Sequence, residues 1–452
     1  MMRSLFSGVS GLKGHQTRMD VIGNNIANVN AVGFKSSRVT FADTLSQTTS
    51  GASAPGDTIG GTNPKQIGLG TGVASIDLLF TDGSIQSTGK NTDLCLSGNG
   101  LFIVKSGNET YYTRDGAFEF DAEGNYVLPG SGLFVQGWTG KDGEINTTGA
   151  VGKITVKAGK SMAAAKSTSA SYENNLNSAV PTITKITGNV LTLSDESTVN
   201  VSDGTKYEVG NSMPITTSLN VYDSLGNAHA VMVYFVETDP SKNEWKVTVG
   251  DDYTDTSDER TQTIEDPDGT TTEVKMTDIK LTFDKNGKFD SGDGTGELTL
   301  VNGSESPMTV TLDFSSLTQF AGSNTVKGNA DGNAAGTLKS VSIDSSGVIT
   351  GTYTNGLKQA EAQVAIAQFT NASGLTKTGS SLYQESNNSG TANVKTAIDL
   401  GVTITPSALE MSNVDVANEF SDMIITQRGF QSNSKVITVG DEMLETLINM
   451  KR

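Results

Sequence analysis

The sequence predicts a mainly β, multidomain protein with long N- and C-terminal α-helices that pair as a coiled coil. Apolar residues repeat with heptad spacing at both ends of the chain. The long middle alternates short apolar runs with turn residues, and the sequence pattern found before residue 148 appears again after residue 333. This return indicates a discontinuous inner β domain that carries an inserted outer β domain. The 452 residues also exceed the roughly 250–300 at which single cores stop growing.

Residues 1–30 are predicted to form the N-terminal helix. Its apolar stripe lies at Leu5, Val9, Leu12, Met19 and Ile26, which are spaced by three, four or seven residues. Glycines at positions 8, 11, 14 and 23 interrupt the helix, and each costs about 1 kcal/mol relative to alanine. Because such a helix is weak alone, we expect it to need a partner.

Residues 409–452 are predicted to form the C-terminal helix, which has the same rhythm and two internal glycines. A stripe of this kind also fits a helix that packs only on its own globular core. Weak helices at both ends favour instead a coiled coil between the ends and between neighbouring molecules, so both stripes are predicted as a polymerisation interface. The C-terminal stripe comprises Val416, Phe420, Met423, Phe430, Ile437, Leu444 and Ile448.

The segments between the helices differ in composition and in hydrophobic periodicity. Residues 31–75 are rich in Ser, Thr and Gly with little periodicity, which predicts an extended connecting arm. Residues 76–147 and 334–408 predict the two parts of the inner β domain, and 148–333 the outer β domain, which resembles a sandwich or barrel. An Ala/Ser-rich stretch at 161–176 indicates a short helix or a linker. With 51 Gly and only 9 Pro, the turns have the residues they need.

Charge and composition exclude several classes of protein. The 50 acidic and 32 basic residues give a net charge of -18, which disfavours nucleic-acid binding and anionic membrane surfaces. No run approaches the ~20 apolar residues of a membrane span, so membrane insertion is not expected. The start lacks the apolar run of a cleaved secretory signal. The residues alone therefore favour a cytoplasmic protein.

The candidate chemical motifs favour turns over catalysis. The glycine clusters at 68–72 and 97–100 lack the strand-to-helix frame of a phosphate site. The segment 284–290 departs from the spacing of a calcium loop. The two histidines, His15 and His229, have no triad context, and one cysteine cannot form a zinc cluster. We therefore expect no catalytic residue, no cofactor, no metal and no enzyme activity.

Two motifs lie at the terminal helices. Their positions are Asn24, Asn25, Asn28, Gly33, Phe34 and Lys35 in and after the first helix, and Ser412, Asn413, Gln427 and Arg428 in the second. Together they resemble the signatures of bacterial flagellar rod and hook proteins, and the middle segments 221–229, 233–235 and 281–284 resemble the outer domain of hook proteins.

The resemblance implies a structural subunit of the flagellar hook, which polymerises into a curved, bendable tube that transmits torque as a universal joint from rod to filament. A distal rod or hook-associated axial protein is the alternative, and a surface adhesin or hydrolase is a rival from another class. The implied partners are other copies in a helical homopolymer, rod and hook–filament junction proteins, the hook cap and the flagellar type III export apparatus. The resemblance thus replaces the cytoplasmic expectation with export, without a cleaved signal peptide, to the extracellular hook.

Cys95 lies between Leu94 and Leu96 and has two interpretations. It is either a small, half-buried packing residue or a candidate cross-link residue. The second interpretation follows from the resemblance, because spirochaete hook proteins cross-link lysine to cysteine between subunits. No neighbouring residue in the sequence indicates an activated thiol.

Overall fold

The computed structural model describes residues 2–57, 59–254, 259–266, 269, 271–292, 294–301 and 307–450. It confirms the predicted fold class, since the chain is mainly β with one long helix at each end. The chain divides into two compact units. The inner unit comprises Met1–Lys160, Lys339–Thr352 and Leu357–Arg452, and the outer unit Ser161–Leu338 with Tyr353–Gly356.

The helices are α1, Met2–Ala27, and α2, Val416–Met450. Asp415 caps α2, because its Oδ1 accepts hydrogen bonds from the backbone N–H groups of Ala417 at 2.9 Å and Asn418 at 3.2 Å. The predicted C-terminal helix of 409–452 therefore starts too early. Residues 408–410 pair as a strand instead, and residues 451 and 452 lie outside the described residues.

The predicted connecting arm is a two-stranded ribbon and not a single extended segment. Its strands are β1 (Ser37–Asp43), β2 (Ser46–Ser50), β3 (Lys65–Gly68) and β4 (Thr71–Leu78). β1 pairs antiparallel with β4 and β2 with β3. The chain reverses within 51–64, where Pro-Gly, Gly-Gly and Asn-Pro pairs supply turn residues.

The first part of the inner unit is a series of short strands and hairpins. β11 also pairs with β12, which lies beyond the boundary predicted at residue 148. The strands are β5 (Ile85–Ser87), β6 (Leu94–Ser97), β7 (Leu101–Ser106), β8 (Glu109–Thr113), β9 (Glu119–Phe120), β10 (Tyr126–Leu128), β11 (Leu133–Thr139) and β12 (Gly152–Lys153).

The described part of the outer unit contains the next strands. They are β13 (Ser161–Met162), β14 (Ser169–Asn177), β15 (Ile183–Thr187), β16 (Val190–Leu193), β17 (Thr198–Asn200), β18 (Ile215–Tyr222), β19 (Ala228–Asp239), β20 (Glu244–Val249), β21 (Glu259–Glu265), β22 (Thr271–Thr277), β23 (Ile279–Phe283), β24 (Phe289–Gly292), β25 (Thr295–Val301), β26 (Met308–Phe320) and β27 (Lys327–Ala330). A short 3-10 helix spans Gly204–Lys206.

Two sheets of the outer unit share one hydrophobic core. One has the strand order β21-β22-β25-β26-β14-β27 and the other β18-β19-β20-β23-β24. The ring of Tyr172, from the first sheet, lies 5.5 Å from that of Phe235 in the second. The 161–176 stretch, predicted as a helix or linker, is β13 and most of β14, because Ala170, Tyr172 and Leu176 are buried at even spacing on one face.

Residues 179–213, which fall within the predicted outer β domain, form a small subdomain of the outer unit. β15, β16 and β17 make a three-stranded sheet with its own core of Ile183, Leu191 and Leu193.

The chain then returns to strands that complete the inner unit. Late strands pair with early ones: β30 with β11 and β31 with β7 in one large sheet, and β35 with β6 in a separate two-stranded sheet. The inner unit is therefore built from two distant parts of the chain. The late strands are β28 (Gly336–Ile343), β29 (Val348–Tyr353), β30 (Lys358–Val364), β31 (Ile366–Gln368), β32 (Thr376–Gly379), β33 (Leu382–Gln384), β34 (Asn393–Lys395), β35 (Thr403–Pro406) and β36 (Ala408–Glu410).

Glu237 makes the stability of the outer unit depend on pH. Its side chain is buried, with only Gln319 Nε2 donating to it at 3.3 Å, and burial raises its pKa from 4.5 to about 7. The folded-state pKa of this carboxyl lies above the unfolded one. Its contribution to the free energy of unfolding is therefore fully present below pH 4.5 and is lost as the pH rises through about 7.

We expect Glu237→Gln to remove this loss, so that the urea midpoint of the outer unit changes little between pH 4.5 and 7. Fluorescence of the buried Trp245 in a Trp138→Phe background reports on this unit alone, since the chain has two tryptophans. Glu173→Gln, at an exposed position, is the control and should keep the wild-type profile. An unchanged profile in Glu237→Gln would contradict the prediction.

Candidate functional site: the helix pair and its junction

The two terminal helices pair antiparallel through small residues. Leu5 of α1 lies against Gly440 of α2, and Gly8 lies against Ile437. A Cβ added to Gly11 would come within 2.7 Å of the Asn433 side chain. The glycines that make each helix weak alone are therefore the residues that let the two backbones approach.

Polar contacts tie the same pair closer to its base. Arg18 forms an ion pair with Asp422 at 2.9 Å, and Asn25 Nδ2 donates to Glu419 Oε1 at 2.9 Å. Ile22 and Thr426 are buried along this face. The α1–α2 seam within one chain is therefore formed mainly by small and polar residues, with few large apolar ones.

The predicted polymerisation stripes contribute in part to this seam, where Leu5 lies against Gly440 and Ile437 against Gly8. Seven stripe residues are partly buried: Leu5, Leu12, Met19, Ile26, Met423, Ile437 and Leu444. Five are exposed: Val9, Val416, Phe420, Phe430 and Ile448. The α1–α2 contact thus leaves much of the surface of the stripes accessible. Their role in polymerisation stays a prediction.

Further exposed apolar residues were missed in the sequence. Phe6, Ile424, Ile425, Met443 and Leu447 are between 50% and 65% exposed. They fall outside the heptad phase that we followed, and a search for a second phase on each helix would have found several of them.

Most signature residues meet where the helices join the inner unit. We call this region the junction, and it comprises residues 33–36, 81–83 and 410–413 with Arg114. Lys35 Nζ donates to Glu410 Oε1 at 2.6 Å and to the carbonyl oxygen of Thr81 at 2.7 Å. Arg114 donates to Glu410 Oε2 at 3.1 Å, and its guanidinium also bonds the carbonyl oxygen of Gly98.

Three of the four charges of the junction are buried. Lys35, Arg114 and Glu410 are each at most 1% exposed, whereas Asp82, which lies 3.5 Å from Arg114, has a side chain that is 43% exposed. Burial lowers the pKa of Lys35, although the Glu410 carboxylate opposes this shift. Because each buried cation has a carboxylate partner, removal of one carboxylate should leave an expensive buried charge.

Amide side chains complete the junction. Asn25 accepts a hydrogen bond from the N–H of Ser37 at 3.0 Å and donates to its carbonyl oxygen at 2.9 Å. Asn413 accepts from the N–H of Ser36 at 2.8 Å and donates to the carbonyl oxygen of Leu79 at 2.8 Å. Asn25 therefore holds the end of α1 to the first residue of β1, and Asn413 holds the chain before α2 to the residues that flank β1 and β4.

The remaining signature residues have smaller or separate roles. The ring of Phe34 lies 4.2 Å from Lys377 Nζ, and Ser412 Oγ accepts from the N–H of Val414 at 3.3 Å. The side chain of Asn28 donates to the carbonyl oxygen and to Oδ1 of Asn24 in the preceding turn. Gln427 and Arg428 are exposed on α2 and lie away from the junction.

Arg114 is the principal junction residue that the sequence did not single out. It follows β8 in a hairpin-like run, and its side chain is 1% exposed. The available signal was a cation two residues after the aromatic strand residues Tyr111 and Tyr112.

Cys95 is fully buried on β6, and its thiol lies 3.8 Å from the carbonyl oxygen of Leu96. Burial raises its pKa to about 11. The geometry favours the packing interpretation, because a buried thiol with a raised pKa is a poor nucleophile.

Two searches of the described residues gave no further site. No group of three or more histidine, cysteine, aspartate or glutamate side chains in this part of the chain could hold a metal ion. Neither described helix is long and apolar enough to cross a membrane.

Four family models match along the chain. They are the flagella basal body rod protein at 5–35, the flagellar hook protein FlgE/F/G D1 domain at 95–169, the flagellar basal body protein FlaE D2 domain at 195–333 and the flagellar basal body rod FlgEFG protein C-terminal at 405–450. The first and last models cover most of the two helices and the junction residues 33–35 and 410–413. These matches confirm that the two ends of the chain resemble those of flagellar axial proteins. Rod and hook proteins both have such ends, so the matches do not distinguish them.

Full-length relatives decide between the two. The flagellar hook protein FlgE of Treponema pallidum is 39% identical, with 100% of both chains covered. The chain belongs to the flagellar hook protein FlgE family. The FlgE of Salmonella typhimurium is 35% identical over 99% of this chain and 100% of the relative. The flagellar basal-body rod protein FlgG of Bacillus subtilis is 30% identical, with 100% of both chains covered. FlgE relatives are thus more similar than this rod protein.

Proposed function

We propose that this FlgE-family chain is a structural subunit of the bacterial flagellar hook and has no catalytic role. It polymerises into a curved, bendable tube that acts as a universal joint and transmits torque from rod to filament. The observation that carries the proposal is the helix pair, whose glycine-rich seam closes within the chain while large apolar side chains such as Phe420 and Phe430 stay exposed.

The assembly follows from these surfaces. The terminal helices form the inner layers of the tube, and the β units form its wall. The junction holds the roots of both helices to the inner unit through Lys35, Arg114 and Glu410, so force on the helices reaches the β wall. Bending arises where polar β surfaces of neighbouring copies slide past one another.

The β1–β4 ribbon acts as a strut between subunits. Its described residues 41–57 and 59–69 are all exposed, and an isolated two-stranded ribbon is marginally stable in water. From Thr44 to Leu69 the sequence has one aspartate and one lysine, within a chain of net charge -18. This segment has no net charge and can therefore contact another acidic copy without strong repulsion.

The location and partners follow from this role. The protein belongs in the flagellum, reaches it through the flagellar type III export apparatus and keeps its N-terminus. Its partners are other copies, the rod and hook–filament junction proteins and the hook cap. The full-length similarity to a rod protein FlgG supports one alternative, a distal rod protein. Electron microscopy of the purified polymer separates the two, because curved tubes support the hook and rigid straight ones the rod.

We predict that deletion of Val416–Arg452 abolishes tube formation and leaves both β units folded. The reason is that the deletion removes α2, and with it one half of the helix pair. Sedimentation and electron microscopy measure the tubes, while Trp138 and Trp245 fluorescence report on the two units. Tubes formed by the truncated chain would contradict the proposal.

A matched pair of point variants tests the same interface more finely. Phe420 is 49% exposed on α2 and Phe320 is 50% exposed in the outer unit. Phe420→Glu should raise the critical concentration for assembly at least about ten-fold, as expected for a buried aromatic anchor. Phe320→Glu is the control and should assemble like the wild type.

A further inference from the structure

His229 is a buried titratable side chain that the proposed function does not use. It lies near the start of β19 and is 4% exposed. Two carboxylates face its imidazole ring: that of Asp223, in the turn between β18 and β19, and that of Asp266, directly after β21. β19 and β21 belong to different sheets of the outer unit. The ring therefore lies where these two sheets can be joined.

The bond to Asp266 ties an edge strand of one sheet to the other sheet. His229 Nδ1 lies 2.8 Å from Asp266 Oδ1, so Nδ1 carries a proton and donates a hydrogen bond. Thr272 Oγ1, in β22, donates to Asp266 Oδ2 at 2.6 Å. β21 is the outermost strand of its described sheet. Because an outermost strand has a neighbour on one side only, it opens more easily than a central strand, and this bond helps to hold it.

The second ring nitrogen has no hydrogen-bond partner in the described part of the chain. His229 Nε2 is buried and lies 3.8 Å from Asp223 Oδ2, which is beyond hydrogen-bond distance. When the ring has one proton, on Nδ1, Nε2 presents a lone pair toward the Asp223 carboxylate. A buried acceptor without a donor is costly, and here it faces another acceptor. A second proton, on Nε2, turns this repulsion into an attraction.

The Asp223 carboxylate keeps its charge while the ring titrates. Burial raises the pKa of Asp223, but hydrogen bonds from its own turn outweigh this effect and hold the pKa below its usual value. Its Oδ1 accepts from the N–H groups of Leu225 at 2.9 Å and Asn227 at 2.8 Å. An imidazole changes its charge between about pH 5 and 8. Nε2 therefore faces an anion throughout this range.

Asp223 and Asp266 are the charged groups that contact the ring in the described part of the chain. Asp268, in the loop that follows Asp266, lies outside the described residues. Successive side chains of a strand point to opposite faces. The other ionisable groups of the described elements around the ring are exposed or on the opposite face: Lys166, Tyr222, Glu265 and Glu273.

We propose that Asp223, His229 and Asp266 form a proton-operated clamp that holds β21 to the β18–β19 turn in acid and releases it as the pH rises. A second proton, taken from solvent, lets Nε2–H donate to Asp223 Oδ2 after the two atoms approach by about 1 Å. The imidazolium then donates to one carboxylate on each side. The inference concerns the fold of a single chain and does not depend on the proposed polymerisation.

The direction of the pH dependence follows from where the second proton has a partner. Only the folded outer unit places the Asp223 carboxylate at Nε2, so uptake of the proton favours the closed clamp. The added hold on β21 is present at about pH 5 and is lost as the pH rises to about 8.

Hydrogen exchange of the full-length chain, followed by mass spectrometry, tests the clamp. The readout is the protection factor of the β21 amides at about pH 5.5 and 8, corrected for the intrinsic rate of exchange. All chains carry Glu237→Gln, because Glu237 titrates in the same unit. One hydrogen bond is a smaller effect than that titration, and we expect protection of β21 to fall about three- to ten-fold from the lower to the higher pH. Amides of β16, in the separate subdomain, should keep their protection.

Asp223→Asn and His229→Gln should each remove the pH dependence, because each removes one member of the pair at Nε2. Asp223→Asn keeps an acceptor for the turn, so it tests the clamp even if His229→Gln fails to fold. Asp284→Asn is the matched control. Asp284 holds the β23–β24 turn in the same way, since its Oδ1 accepts from the N–H groups of Asn286 and Lys288 at 2.8 Å, and its described hydrogen bonds include no histidine. This control should keep the fall in protection.

Several results would overturn the inference. One is protection of β21 that is equal at both pH values or that rises with pH. Another is a fall that persists in both Asp223→Asn and His229→Gln. A third is a fall that Asp284→Asn removes as completely as Asp223→Asn does. None of these results bears on tube formation, so the proposed function is tested separately.

Discussion

Replacement of Glu410 by glutamine is expected to destabilise the inner unit by about 3–5 kcal/mol, because it leaves two buried cations without their shared carboxylate. Glu410 accepts from Lys35 Nζ at 2.6 Å, from Arg114 at 3.1 Å and from the N–H of Gly83 at 2.8 Å. Glutamine has nearly the same shape, so packing is preserved and the charge is the main change.

The measurement is urea unfolding followed by the buried Trp138 in a Trp245→Phe background. Glu119→Gln is the matched control, because the Lys90–Glu119 pair has side chains 46% and 56% exposed. An exposed pair of this kind contributes less than about 1 kcal/mol. Similar midpoints for Glu410→Gln and Glu119→Gln would show that the junction network does not hold the unit together.

Glu410→Gln should also weaken assembly. The junction anchors the residues after α1 and before α2, and a loosened junction lets the helix roots move relative to the β strands. We expect a higher critical concentration even at temperatures where the inner unit is folded. Unchanged assembly of a folded Glu410→Gln chain would separate the junction from polymerisation.

Replacement of Gly33 by alanine is expected to have the second large effect. Gly33 has φ of +64°, and an added Cβ would lie 2.4 Å from the backbone nitrogen of Asp115 and 2.6 Å from the carbonyl carbon of Arg114. Backbone atoms cannot move aside as a flexible side chain can. The left-handed conformation costs roughly 1–2 kcal/mol for alanine, and the clash raises the total to about 3 kcal/mol or more.

Gly89→Ala isolates the conformational part of this cost. Gly89 has φ of +71°, but no atom lies within 4 Å of its added Cβ. We expect a loss of only about 1 kcal/mol there. Trp138 fluorescence in the same background compares the two, and equal losses would mean that the close approach at Gly33 is relieved without cost.

The two helices show which features of the fold hydrophobic periodicity can predict. Heptad spacing predicted a helix at each end and a pairing of the two ends, and both are present. It placed Leu5 and Ile437 on the stripes but did not predict their partners, because Leu5 lies against Gly440 and Ile437 against Gly8. Close approach of two backbones needs small residues, and a hydrophobic pattern does not detect them.

Prediction of the β regions from the sequence had a similar limit. Turn residues and alternating strands predicted β texture, and the return of that texture predicted an inner unit built from two parts. The stretch 161–176 was assigned to a helix or linker because alanines and serines outweighed the alternation of Ala170, Tyr172 and Leu176. Burial between neighbouring strands overrides such weak local preference.

The sequence by itself determined the two terminal helices, the mainly β middle and the likeness of both ends to flagellar rod and hook proteins. Each of these depends on local spacing or on motifs read within one segment. Only the tertiary structure decided which helix faces meet and that Lys35 pairs with Glu410, 375 residues away. The physical reason is that spacing along a chain reports which residues share a face, but which two faces touch depends on how closely distant backbones can approach.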